Sequence, residues 1–335
     1  MNELIKEIRI AIEREYDIGR IDDISKLNLT FSKFTKDDHH FIIKTSSFSF
    51  FLKRYDVANL NRIESEIKSV SRFRNVIKIP TIIKNRQSND YTIYNNSIFI
   101  LYEYVDAPCL DNDSKHFEMF FSILCDIETK LIESKPKDFN SFSFQFRLEK
   151  FESGARDLLR ILADDKRPNV KRDIEYVNFL VKEVEDNKSK ILNLKIEKNY
   201  IHGDFLMQNV IKDLNDVVWI LDWEKSREYI TSIDILKSIT FTLFDPKRDS
   251  FNLVADEMVK WTKFCFEKIG VSKLEVQNAF DLYYFHYLTG IDFLTKFYIE
   301  NQDLNEKMIE EDFWICQWFK IHKDEMQLKL NEILA

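Results

Sequence analysis

The stretch YIHGDFLMQN, residues 200–209, with VVWILDW at 217–223, decides how the rest of the chain reads. The protein has only five glycines in 335 residues, and one of them, Gly203, stands between a histidine and an aspartate. An asparagine follows that aspartate by five residues, and a second aspartate closes the next apolar run. Residues 209–212 read as one strand, 213–216 as a turn and 217–221 as the returning strand. Such a hairpin folds the chain back, so Asp204, Asn209 and Asp222 are expected to converge although 18 positions separate the first from the last. Gly203 gives the loop conformational freedom and lets a ligand approach the backbone.

Two carboxylates and an amide oxygen are hard-oxygen ligands. They suit Mg²⁺, which takes one or two carboxylates and completes its shell with substrate phosphates and water. Clusters of His and Cys suited to zinc are absent from the sequence. A metal clamp and a carboxylate able to take a hydroxyl proton are the parts that phosphoryl transfer needs.

The bulk properties agree. Hydrophobic residues make up 44% and charged residues 32%, a soluble globular balance, and the length allows two core-bearing lobes. A net charge of −8 argues against a general nucleic-acid binder. No apolar run approaches the ~20 residues needed to span a bilayer, and the N-terminal MNELIKEIRIAIEREY is amphipathic, not a signal peptide. Of the four cysteines, Cys125, Cys265 and Cys316 lie in apolar helical patterns and none forms a C-x-x-C pair, as expected of reduced thiols in the cytoplasm.

Along the chain, residues 1–18 read as an amphipathic helix. LNLTFSKF, HFIIKTSS and FSFFLKRYD, between 27 and 56, read as three strands. LNRIESEIKSVSRFRN, 60–75, reads as a helix with Ile63, Ile67, Val70 and Phe73 on one face. IPTIIKN and YNNSIFILYEYVD read as two more strands. After Pro108, segments 113–135, 144–164, 170–192, 251–269, 273–300 and 304–334 have helical spacing. The expected architecture is α+β: a small mixed lobe over 1–105, then a larger helical lobe over 106–335 that carries the hairpin.

HGDFLMQN matches the H-x-D-x-x-x-x-N loop, and ILDW the metal-binding aspartate strand, of the aminoglycoside phosphotransferase and choline kinase superfamily. The chain resembles that family from about residue 27 to 240. The resemblance implies a bilobal protein-kinase-like fold, with Asp204 as catalytic base, His202 bracing the loop, Asn209 and Asp222 holding Mg²⁺, and Asp234 supporting the loop. It also implies a lysine on a central small-lobe strand, met by Lys53 in FFLKRY. The helix glutamate paired with that lysine would be Glu66, with Glu64 the near competitor. The hinge that holds the nucleotide base would be Glu103, Tyr104 and Val105. The bulky residue and acid after Asp222 (Trp223, Glu224) also look like the family, although no role for Glu224 follows from the sequence.

The segment FTKDDHH, 34–40, stands where the family covers the phosphates, yet it contains no glycine, and Asp37 and Asp38 would repel a triphosphate unless turned away. That leaves ATP or GTP as donor. The expected activity is an ATP- or GTP-dependent O-phosphotransferase acting on a hydroxyl of a small molecule: an aminoglycoside, an amino alcohol or a sugar. Tyr283, Tyr284, His286, Trp314 and Trp318 read as core residues or as the lining of the acceptor pocket. Two alternatives use the same residues. One is a catalytically silent kinase-fold nucleotide-binding module. The other is a protein kinase, disfavoured by the short run between Asp222 and the next helix signal at Ser232.

Overall fold

The computed structural model describes residues 2–27, 39–110, 113–134, 143–244 and 252–334. In chain order the first elements are α1 (Asn2–Glu15), β1 (Ile21–Lys26), β2 (His40–Thr45), β3 (Ser49–Asp56), α2 (Leu60–Phe73), β4 (Thr92–Tyr94) and β5 (Ser97–Glu103). Then come α3 (Phe117–Glu133), α4 (Phe144–Asp164), α5 (Val170–Leu192) and β6 (Asn199–Ile201). The hairpin strands are β7 (Val210–Lys212) and β8 (Val218–Ile220), followed by β9 (Arg227–Tyr229) and α6 (Thr231–Leu243). The chain closes with α7 (Ala255–Ile269), α8 (Lys273–Val276), α9 (Ala279–Leu288), α10 (Asp292–Tyr298) and α11 (Lys307–Leu334). None of the described helices is long and apolar enough to cross a membrane.

Two compact units result: residues 1–110 with 208–225, and residues 111–207 with 226–335. In the first, an antiparallel sheet runs β1-β2-β3-β5-β4. One face of it packs on α1 through Ile8, Ile12 and Tyr16, all essentially buried, and the Tyr16 hydroxyl donates to the Phe99 carbonyl at 3.2 Å. Ile63 and Ile67 of α2 join Tyr55, Ile98, Ile100 and Tyr102 in a second cluster. Each fully buried side chain of this size contributes about 1.5–3 kcal/mol.

The hairpin belongs to this unit because its backbone is bonded there. Leu110 N–H donates to Val210 O, and Ile220 N–H to Lys78 O, both at 2.9 Å. The Lys78 ammonium lies over the Trp219 ring, 4.4 Å from its centroid.

Several expected elements differ. The strand expected over 27–34 lies almost wholly outside the described residues, whereas β1, formed by IDDISK, was not anticipated. YNNSIFILYEYVD holds the expected strand as β5, but it opens on a turn: Asn95 and Asn96 have φ of 46° and 60°, the left-handed pair that a two-residue turn uses, and they join β5 to β4, a strand the sequence did not reveal. IPTIIKN forms no strand, only an isolated bridge from Ile82 to Tyr102. Because left-handed φ strains a residue with Cβ, Asn96→Ala is expected to lose about 1 kcal/mol of stability, and Asn96→Gly to lose none, in chemical denaturation of the two variants.

In the helical unit α9 is mostly apolar and, apart from His286 and Tyr287, buried from Ala279 to Leu288, and it packs against α5, α6 and α11. The short β6 pairs antiparallel with β9 in the register Ile201↔Arg227, and α3 and α6 both pack on β6. This frame carries the loop that begins at His202. Three free thiols, Cys125, Cys265 and Cys316, are buried, while Cys109 is exposed.

Candidate functional site

In the sheet unit, β3 carries Lys53 with its side chain almost fully buried, opposite Ile100 of β5. Its ammonium donates to Glu66 Oε1 of α2 and to Asp222 Oδ1 just beyond β8, each at 2.7 Å. Burial opposes the charge on Lys53, but Asp222 and Glu66 outweigh it and hold its pKa well above the ordinary value. Glu66, not Glu64, therefore meets the lysine; the exposed Glu64 accepts from the Tyr91 hydroxyl at 3.4 Å. Tyr102 donates its hydroxyl to Glu66 Oε1 at 2.8 Å, which fixes the carboxylate from the β5 side.

Asp222 has φ of 61°, a left-handed conformation that costs a non-glycine residue about 1 kcal/mol. The residues after it hold that turn in place. Trp223 is buried, stacks on Phe73 of α2 at 5.5 Å, and donates its indole N–H to Ile220 O at 3.2 Å. Glu224 pairs with Arg62 of α2 and accepts from the Tyr55 hydroxyl at 3.3 Å. Glu224 thus ties the turn to α2, a contact that the sequence did not reveal. At the other end of the hairpin Asn209 is largely buried, and its carbonyl accepts Leu221 N–H at 2.8 Å.

Asp222 and Asn209 offer one carboxylate and one amide oxygen. Among the described residues no three His, Cys, Asp or Glu side chains form a cluster that could hold a metal. A cation that completes its shell with substrate oxygens and water fits so sparse a donor set better than one needing an all-protein cage.

In the expected hinge, Glu103 N–H donates to Thr81 O at 2.9 Å and Tyr104 N–H to Ser49 O at 3.3 Å, while Val105 O accepts Ala107 N–H at 2.9 Å. Of the segment 34–40, only His39 and His40 are described. His39 Nδ1 lies 3.1 Å from Arg54 O, and the His40 ring stacks on Phe51 at 5.7 Å as part of β2.

The helical unit contains the loop. Gly203 has φ of 81°, and its N–H donates to Asp234 Oδ2 at 2.8 Å. Asp234 itself is buried in the first turn of α6. His202 is fully buried, with its ring edge-on to Phe205 at 5.5 Å, and Asp204 N–H points at His202 Nδ1 at 3.3 Å. Lys237, one turn beyond Asp234 on α6, donates to Asp204 Oδ1 at 2.5 Å and to Gly203 O at 2.7 Å. A local signal for this lysine exists in SIDILKS, because positions i and i+3 share a helix face.

The aromatic candidates separate. Tyr283, Tyr284 and Trp318 are buried, with the Tyr284 hydroxyl on Glu183 at 2.9 Å. Trp314 and His286 are only partly buried; Trp314 lies 6.0 Å from the Phe244 ring, and His286 Nδ1 is 3.2 Å from the Tyr229 hydroxyl. Burial, with Arg147 and Arg227 nearby, lowers the His286 pKa well below its ordinary value.

No family model and no curated protein sequence matches the chain. Solved structures do. The choline kinase LicA from Streptococcus pneumoniae matches at 12% identity, over 95% of this chain and 98% of that one, with a TM-score of 0.57. A choline kinase from Cryptosporidium parvum Iowa II matches at 14%, over 99% and 98%, with a TM-score of 0.59. A spectinomycin phosphotransferase, solved with ADP and spectinomycin, matches at 14%, over 98% of each chain, with a TM-score of 0.61. At such identities the likeness shows a shared fold: the chain has the kinase-like fold of choline kinases and aminoglycoside phosphotransferases.

Proposed function

We propose that the protein is a cytoplasmic O-phosphotransferase that moves the γ-phosphoryl group of ATP or GTP onto a hydroxyl of a small molecule. The observation that carries this reading is Lys53, buried and bonded at 2.7 Å to both Glu66 and Asp222. One cation held between a structural and a partly exposed carboxylate suits a site in which the lysine meets phosphate oxygens and Asp222 meets a metal. The names of the structural neighbours, choline kinases and a spectinomycin phosphotransferase, support small-molecule acceptors.

Asp222 and Asn209 would hold Mg²⁺, which when bound would neutralise phosphate charge. The protein's own groups do the rest. Lys53 offsets charge on the phosphates, with Glu66 and Tyr102 fixing its position. Glu103, Tyr104 and Val105 supply the backbone that faces the nucleotide base. Asp204 orients the acceptor hydroxyl and takes its proton, Lys237 holds the Asp204 carboxylate in one orientation, and His202 and Asp234 brace the loop. The acceptor is an aminoglycoside, an amino alcohol or a sugar.

The test is a panel of hydroxyl-bearing acceptors with Mg·ATP or Mg·GTP, scored by nucleoside diphosphate release. At least one member is expected to raise release above the basal hydrolysis rate. If the nucleotide raises the melting temperature and no acceptor is phosphorylated, the protein is a silent binding module instead. If label from the nucleotide enters polypeptides and no small molecule, it is a protein kinase.

A further inference from the structure

One buried acid is used by none of the roles above. Glu128 lies on the inner face of α3, fully buried, and Asp234 of α6 is 1% exposed. Asp234 Oδ2 accepts Gly203 N–H, but Asp234 Oδ1 and both carboxyl oxygens of Glu128 are buried with no hydrogen-bond partner. Ionised carboxylates are acceptors only, so two of them cannot satisfy each other. Buried polar atoms are nearly always paired, and two like charges do not share a dry site.

One proton resolves this arrangement. We propose that Glu128 is a neutral carboxylic acid whose O–H donates to Asp234 Oδ1, and that this bond positions Asp234, and through it the Gly203 amide, at the head of the 202–209 loop. Glu128 is a positioning residue: it acts through Asp234 and touches no reactant. Its relevance to phosphoryl transfer rests on the function proposed above, whereas the shared proton itself does not.

The surroundings are consistent. Facing Glu128 are Asp234 from α6, Cys265 from α7, Cys125 on its own helix, and the backbone N–H of His202 after β6, which does not complete a hydrogen bond to it. Tyr200 of β6 turns its hydroxyl to Ser226 instead, at 3.2 Å. The Arg227 guanidinium on β9 is near enough to Asp234 to feel its charge. Burial first, then the charge of Asp234, pushes the Glu128 carboxyl well above its usual range, with the His202 N–H opposing them.

Infrared difference spectroscopy of the full chain against Glu128→Gln reads the proton directly. At neutral pH the wild type is expected to show a protonated-carboxyl C=O stretch, shifted in D₂O, that is lost in the variant. If no such band is lost, Glu128 is ionised and the proposal fails. Hydrogen exchange at the Gly203 amide reads the positioning. In Glu128→Gln the new side-chain amide still donates an N–H to Asp234, so exchange should stay slow; Glu128→Leu should speed it about tenfold, the scale of one hydrogen bond. Equal exchange in the two variants overturns the positioning role. Should the leucine variant not fold, the wild type is compared with Glu128→Gln as pH rises. Gly203 in the wild type should then lose protection relative to the variant, and parallel curves overturn the role. None of these readouts requires turnover, so their failure is distinct from failure of the phosphotransferase reading.

Discussion

Asp204→Ala is expected to lower kcat by about 10²–10⁴-fold, the contribution of a positioned general base, while binding of Mg·ATP and the melting temperature stay near those of the wild type. In energy this is about 3–5 kcal/mol of transition-state stabilisation. The carboxylate is mostly buried and is held by Lys237 at 2.5 Å. Lys237 keeps its bond to Gly203 O at 2.7 Å when the carboxylate is gone, so the loop retains an anchor. Asp204→Asn is the stricter variant: it keeps the shape and the Lys237 contact but cannot accept a proton, so it should lose nearly as much activity as alanine. Nucleotide binding by thermal shift should persist in both. Turnover that survives both changes unaltered would mean that Asp204 is not the base.

How much of this was legible depends on how local each feature is. The hairpin that joins HGDFLMQN to ILDW could be read because the turn between its strands, β7 and β8, is made by adjacent residues. Asp213 caps it, accepting Asn215 N–H at 2.8 Å and Val217 N–H at 3.0 Å. Strand β1 was missed because its register shifts between Ile21 and Asp23, which breaks the period-two alternation that marks a strand. Helix α6 gave only a start signal at Ser232, since it is buried on nearly every side and has no amphipathic stripe. The helix expected over 273–300 is three helices, α8 to α10, interrupted at Gln277 and Asn278 and again from Thr289 to Ile291.

Which unit the hairpin joins is a tertiary matter, decided by backbone bonds to Lys78 and Leu110 far away in sequence. Glu224, Lys237 and Glu128 belong to the same class: each acts through a partner on another element or another turn. For Glu128 a local signal did exist. FFSILCDIETKLI places an acid on a face otherwise filled by Phe121, Leu124, Cys125 and Leu131, all buried. A buried acid with no base one helical turn away calls for a partner elsewhere in the fold.

Lys53→Met is expected to have two separable effects, and a double variant separates them. The first is on turnover: loss of a cation aimed at developing phosphate charge costs about 10²–10³-fold in kcat. The second is on stability. Lys53 and Glu66 are buried, at 6% and 2% side-chain exposure, so removing one partner leaves an uncompensated carboxylate. Breaking a buried pair in this way costs about 3–5 kcal/mol. Glu66 can escape part of that cost by taking up a proton, a change that burial and the neighbouring Asp222 charge already favour. Lys53→Met combined with Glu66→Gln removes both charges, keeps an acceptor for the Tyr102 hydroxyl, and should recover most of the stability. It should recover none of the activity, because nothing replaces the cation at the phosphates. Chemical denaturation and kcat measured on the wild type, both single variants and the double variant complete the cycle. If activity returned with stability, Lys53 would be only a structural counterion to Glu66 and Asp222. If stability stayed low while Glu66→Gln alone was benign, Asp222, with 29% of its side chain exposed, would be the carboxylate that most needs the lysine.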